Sequence, residues 1–124
     1  MSNRTSLNEL SVPQLVQRFL ALTLGQYEAE RRSDNTTYNR LYAEMRMVRN
    51  ELKHREGDQR RALLPYINHE NAQVRLMAAS SLLTIVPGRA KMALESVRDS
   101  GIVPQSVDAG FLLDGLKDGS FVPK

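Results

Sequence analysis

The sequence contains no cysteine and no tryptophan, and only two of its 124 residues are histidines. Without cysteine there are no disulfide bonds and no cysteine-ligated metal sites. The histidines, His54 and His69, lack the spacing of a metal-binding helix. The glycines are scattered and form no phosphate-binding loop. We therefore expect no metal, no cofactor and no catalytic residues, so the protein is predicted not to be an enzyme.

Long apolar runs are also absent. No stretch approaches the roughly 20 apolar residues that a membrane-spanning helix needs. Residues 1–10 lack the apolar run of a secretory signal. These features, with the lack of cysteine, predict a cytoplasmic protein with no membrane partner. A length of 124 residues with 41% hydrophobic content predicts one domain over residues 1–124.

The charge of the chain is weakly positive. Its 17 basic and 14 acidic residues give a net charge of +3. This value does not by itself indicate a nucleic-acid partner, because dedicated binders concentrate their basic residues in a patch. Thirteen of the basic residues are arginine, which pairs well with carboxylates and phosphates at interfaces. Genomic base composition explains this bias equally well.

Apolar residues recur at intervals of three and four along most of the chain, which is typical of helices. Alternation of the strand type never extends beyond a few residues. The fold class is therefore all-α, with five to six helices. The first predicted helix covers residues 12–32, and the second begins at one of three possible caps, Asp34, Asn35 or Thr36, and ends near Gly57. A short or kinked helix with Pro65 follows Asp58. The later predicted helices cover 72–86, 89–98 and a last stretch from Ser106 or Asp108 through Leu116, followed by a tail over 119–124.

The predicted helix 72–86 is apolar over more than half of its circumference. A helix with so wide an apolar arc packs on two sides, so we expect it at the centre of the core. Arg75 falls inside this arc, and a buried charge must find an acceptor. We predict a structural buried charge at Arg75, with a ligand clamp as the alternative.

A resemblance begins at this helix. Residues 71–79, Asn-Ala-Gln-Val-Arg-Leu-Met-Ala-Ala, resemble the second helix of a HEAT repeat, and the similarity is clearest over residues 58–98. The whole chain is similar to a family of short bacterial proteins of unknown function with an ARM/HEAT-like fold, through residues 7–12, 57–64, 71–75 and 108–110. The resemblance implies a right-handed α-superhelix, but fold alone does not define an activity.

Two surfaces are candidates for binding a partner. The first is a basic ridge formed by Arg46, Arg49 and Lys53, which lie within about 60° on one flank of their helix, and by Arg60 and Arg61 after the next turn. It suits an acidic protein or a phosphate backbone. A solvated flank with local charge pairs is the alternative.

The second surface is the polar face of helix 72–86. Its members are small or uncharged: Gln73, Met77, Ser80, Ser81 and Thr84. The resemblance implies that such second helices line the concave side of a superhelix, where partners dock. The alternative is the wetted side of a buried helix.

The predicted function is that of a non-catalytic protein-interaction module. A narrower prediction is an immunity or antitoxin-type inhibitor whose partner is a toxin domain. A HEAT-like protein that binds nucleic acid is the alternative, disfavoured by the few aromatic residues and the mixed charges. Lyase or glycosylase activity, known among HEAT-like proteins, has no visible site here. Exposure of Met47 makes a homodimer a further alternative.

Overall fold

The computed structural model describes residues 6–124, and this part of the chain is helical with no strand. It contains five α-helices: α1 (Val12–Arg31), α2 (Asn35–His54), α3 (Ala72–Ser81), α4 (Pro87–Asp99) and α5 (Gln105–Asp118). Two 3-10 helices cover Leu7–Glu9 and Gln59–Asn68. The predicted all-α class is confirmed. Residues 1–5 of the predicted domain lie outside the described residues.

The chain divides into two compact units, Met1–Ala62 and Leu63–Lys124. The division falls within the 3-10 helix Gln59–Asn68. The sequence predicts a short or kinked helix here because Pro65 has no N–H to donate, and the structure replaces the α-helix with 3-10 turns. A single domain and a superhelical arrangement both stay predictions.

The first unit is a hairpin of α1 and α2, which pack on each other. Ser11 begins α1 with a capping box: its Oγ accepts a hydrogen bond from the Gln14 N–H (3.2 Å), and its own N–H donates to Gln14 Oε1 (2.8 Å). Asp34 begins α2, because its carboxylate accepts from the N–H of Thr37 (3.1 Å). Both starts agree with the sequence prediction.

The core of this unit lies between the two helices. Leu15 and Phe19 of α1 and Met45, Val48 and Leu52 of α2 are essentially inaccessible to solvent. Two polar residues of α1, Thr23 and Gln26, are also fully buried. The Thr23 hydroxyl is satisfied locally, since it donates to the carbonyl of Leu20 (2.9 Å).

Arg55 ties the N-terminal 3-10 helix to the end of α2. Its Nη2 donates to the carbonyls of Leu7 (3.1 Å) and Leu10 (2.7 Å), and its Nε donates to Glu51 Oε2 (2.7 Å). Glu51 lies one helical turn before Arg55, a spacing at which opposite charges pair on a helix. The two backbone contacts satisfy carbonyls at the end of the 3-10 helix.

The second unit contains α3, α4 and α5. The predicted helix 72–86 is too long: α3 ends at Ser81, and turns cover residues 82–85. Val86 is not helical (φ −134°, ψ 68°), because a following proline disfavours the helical conformation of the residue before it. Pro87 therefore begins α4 at its first position, where a missing N–H costs nothing. The predicted start at residue 89 is wrong by two residues.

The core of this unit is built around α3, as the sequence predicts. Val74, Leu76, Ala78 and Ala79 are buried, and Leu82, Leu94, Val97 and Ala109 complete the core. Asn71 caps α3 by accepting from the N–H groups of Gln73 and Val74 (2.9 and 3.2 Å). The final helix α5 extends beyond the predicted 106–116 at both ends and terminates at Gly119 in the left-handed conformation (φ 83°).

The tail after α5 folds back on the helix. The N–H of Phe121 donates to the carbonyl of Gly115 (3.1 Å). A Cβ at position 115 would lie 2.8 Å from Phe121 Cβ, so the close contact requires glycine. Phe121 is half-buried and holds the tail as expected, whereas Val122 is exposed.

Candidate functional site

The basic ridge of α2 is only partly open to solvent. Arg46 and Arg61 are exposed, and Arg49 and Lys53 are half-buried. Burial lowers the pKa of the Arg49 guanidinium, while the neighbouring Tyr42 hydroxyl opposes that shift. Arg46 and Arg61 are therefore the exposed charges of the predicted ridge, and Arg49 and Lys53 are partly accessible beside them.

Arg60 does not belong to this ridge. Only 7% of the residue is exposed. Its Nε and Nη2 donate to the two carboxylate oxygens of Asp58, at 2.9 and 2.7 Å. A bidentate pair of this kind holds the guanidinium in the turn between α2 and the next helix. The prediction that Arg60 contacts a partner is therefore corrected.

Replacement of Asp58 by asparagine is expected to reduce the loss of stability that the protein shows at acidic pH. Its hydrogen bond from Arg60 holds the pKa of the Asp58 carboxyl below its usual value. The carboxylate therefore stabilises the fold above about pH 4, the pKa of an aspartate in the unfolded chain. This stabilisation is lost as the pH falls through the lower pKa of Asp58 in the folded chain. Asparagine tolerates the left-handed backbone of position 58 (φ 51°).

The measurement is the melting temperature of wild type and Asp58→Asn between pH 7 and pH 3, followed by circular dichroism. Glu56→Gln is the matched control, because Glu56 is an exposed carboxylate of the same turn. The wild type should lose more of its melting temperature than Asp58→Asn below about pH 4. Parallel curves for the two proteins would show that the Asp58–Arg60 pair does not stabilise the fold.

The predicted polar face of helix 72–86 is not an open surface. Gln73 is 1% exposed and Met77 7%, and Ser81 is also buried. The reason is that α5 packs against α3, and Gln105 Nε2 donates to Gln73 Oε1 at 3.0 Å. Ser80 is half-buried, and Thr84 is exposed but lies in the turns after α3. A docking role for Gln73 and Met77 is therefore corrected.

Two large apolar residues of the helix α5, Val107 and Phe111, are exposed. Phe111 is 70% exposed and Val107 49%, and the two lie one turn apart on the same side of the helix. Ile102 and Val103, just before the helix, are exposed as well. We call these four residues the α5 apolar patch.

The buried side of α5 carries small and polar residues instead: Gln105, Ser106, Ala109 and Gly115. Small residues allow α5 to approach its neighbours closely. The usual arrangement, with large apolar residues inside and polar ones outside, is thus reversed in the first half of this helix. The sequence prediction missed the patch because periodicity assigns apolar residues to the core.

A groove of about 310 Å³ lies in the second unit. Its lining residues come from the 3-10 helix, α3 and α4: Ile67, Asn68, Arg75, Arg89, Met92, Ala93 and Ser96. Arg75 is half-buried, and its Nη1 donates to the carbonyls of His69 (3.0 Å) and Glu70 (3.1 Å). These two carbonyls are the acceptors of Arg75, whereas its Nε is buried with no hydrogen-bond partner among residues 6–124.

Comparison with protein families identifies the chain. The sequence profile of DUF2019, a domain of unknown function, matches residues 13–117. The chain belongs to the DUF2019 family. This confirms the predicted membership of a family of short bacterial proteins of unknown function.

A solved structure is similar to this DUF2019 protein over nearly its full length. It is the crystal structure of the protein RPA1889 from Rhodopseudomonas palustris CGA009, with 40% sequence identity and a TM-score of 0.93. The match covers 98% of this chain and 100% of that chain. No curated protein matches the sequence.

Residues 6–124 of the DUF2019 chain contain no group of three or more histidine, aspartate or glutamate side chains placed to hold a metal. Within the same residues, no helix is both long and apolar enough to cross a membrane. The candidate sites are therefore the accessible part of the basic ridge, the α5 apolar patch and the groove at Arg75.

Proposed function

We propose that this DUF2019 domain is a non-catalytic protein-interaction module that binds a partner protein through the α5 apolar patch. The observation that carries the proposal is the exposure of Phe111 and Val107 on a helix whose buried side is small and polar. Exposed clusters of large apolar residues are characteristic of interaction surfaces. Scattered single residues would need no explanation.

The chemistry of the patch suits a protein partner. An aromatic side chain at the centre of an interface commonly dominates its binding energy. Complete burial of a valine, isoleucine or phenylalanine side chain contributes roughly 1.5–3 kcal/mol. Phe111 and the three aliphatic residues of the patch therefore supply apolar side chains that a complementary pocket would cover.

A narrower form of the proposal is an immunity or antitoxin-type inhibitor in the cytoplasm, with a toxin domain as the partner. The accessible charges of the basic ridge, Arg46, Arg49, Lys53 and Arg61, would favour a partner with an acidic surface. Such complementarity acts mainly on the association rate and on specificity. The same charges support the alternative of nucleic-acid binding. Arg60 does not contribute to such a surface, because it pairs with Asp58.

The test is affinity purification of the tagged protein from the organism that encodes it, followed by mass spectrometry. The wild type is compared with a Val107→Ser/Phe111→Ser variant. Met47→Ser is the control, because Met47 is exposed on α2 in the other unit. One stoichiometric partner should copurify with the wild type and the control and be lost with the double variant.

Three results would contradict the proposal. Retention of the partner by a folded Val107→Ser/Phe111→Ser variant would show that the patch is not the interface. Recovery of nucleic acid alone, released by moderate salt, would favour the alternative function. Recovery of only further copies of this chain would replace the partner protein with a homodimer.

A further inference from the structure

The groove at Arg75 concentrates positive charge. Arg75 of α3 and Arg89 of the first turn of α4 line it together with Asn68 and Ser96, and none of its lining residues is acidic. Arg89 is exposed and has no ion pair within residues 6–124. Two guanidinium groups that share one concave surface without a carboxylate are suited to an anionic ligand.

The Arg75 guanidinium has N–H donors that its own contacts do not use. A guanidinium carries five N–H donors, and Arg75 uses only Nη1, which holds the carbonyls of His69 and Glu70. Its Nε is buried without an acceptor, and its Nη2 has none within the described chain. The Nε and Nη2 donors form one edge of the guanidinium, and that edge matches the two oxygens of a carboxylate.

The rest of the groove is apolar. Ile67, Met92 and Ala93 line it beside the polar groups, and Met92 is largely exposed. A volume of about 310 Å³ is at the small end of sites that hold organic ligands. A few polar groups beside an apolar wall favour a ligand that carries one anionic group on a compact apolar body.

We propose that this groove binds the carboxylate of a small organic acid. Arg75 and Arg89 hold the carboxylate oxygens, and Ile67 and Met92 contact the apolar part of the acid. The site is separate from the α5 apolar patch, so it does not depend on the proposed protein interaction.

The experiment is an NMR titration of the full ¹⁵N-labelled chain with benzoate as the probe, observing the arginine Nε–H signals. The Arg75 Nε–H signal should shift saturably. Benzamide, which has the same ring and no charge, should leave it in place. Loss of a hydrogen bond to a charged group corresponds to roughly a tenfold weaker affinity, and we expect this loss in Arg89→Gln.

Lys91→Gln is the matched control, since it removes one exposed charge from the same helix two residues away, outside the groove. Its affinity for benzoate should stay within about twofold of the wild type. Arg75→Lys keeps the charge but removes the flat edge, and should also weaken binding roughly tenfold, followed in this variant at the Arg89 Nε–H signal. Arg89→Gln keeps the proposal testable if Arg75→Lys does not fold, because Arg89 is exposed.

Three results would overturn the proposal. The first is the absence of a saturable shift of Arg75 Nε–H up to the solubility limit of benzoate. The second is an affinity for benzoate that is the same in Arg89→Gln and in the wild type. The third is tighter binding of inorganic phosphate than of benzoate at the same signal, which would assign the groove to a phosphate.

Discussion

Replacement of Phe19 by alanine should lower the free energy of unfolding by about 3–5 kcal/mol. Phe19 is fully buried in α1, in the core that α1 forms with α2. Truncation to alanine removes the ring and leaves a cavity that its neighbours fill only in part. Urea unfolding followed by circular dichroism measures the loss.

Leu24→Ala is the matched control for Phe19→Ala. Leu24 lies on the same helix, but 36% of it is exposed. Its replacement should cost about 1–2 kcal/mol, less than that of Phe19, because the side chain is smaller and partly exposed. Equal losses for the two variants would show that Phe19 does not occupy the core described here.

The second large effect is expected at the buried glutamine pair. Gln73 and Gln105 are each 1% exposed and are joined by a 3.0 Å hydrogen bond between α3 and α5. Gln105→Leu leaves the Gln73 amide oxygen without this donor in a region that excludes water. Such a loss costs about 1–3 kcal/mol. Urea unfolding of the full chain, followed by circular dichroism, measures the loss.

A double-mutant cycle separates the hydrogen bond from the packing. Gln73→Leu and Gln105→Leu are measured singly and together. The double variant should lose less stability than the sum of the single losses, by at least about 0.5 kcal/mol, because residues in contact are coupled. Strict additivity would mean that the two amides do not depend on each other.

The starts of the helices follow from the sequence because capping is local. Ser11, Asp34 and Asn71 each accept a hydrogen bond from a backbone N–H two or three residues ahead, so the sequence contains the whole interaction. The end of the predicted helix 72–86 does not follow in the same way. Proline after a helix and proline at the start of the next one look alike in sequence, and Pro87 is the latter.

The surfaces were harder to predict because burial depends on distant neighbours. Periodicity places polar residues outside, yet Gln73 is buried by a partner 32 positions away. The pair of Arg60 with Asp58 is local, but no spacing rule distinguishes it from an exposed arginine. The exposure of Phe111 was not predicted either. The side of α5 that packs inward is recognisable only from the small residues Ala109 and Gly115.

The central claim, that the α5 apolar patch contacts a partner protein, is tested most directly by crosslinking in living cells. A photo-reactive phenylalanine analogue replaces Phe111 and, in a control, the exposed Met47 of the other unit. We predict one crosslinked protein, distinct from this chain, at position 111 and its absence at position 47. No crosslink at position 111, or the same products at both positions, would contradict it.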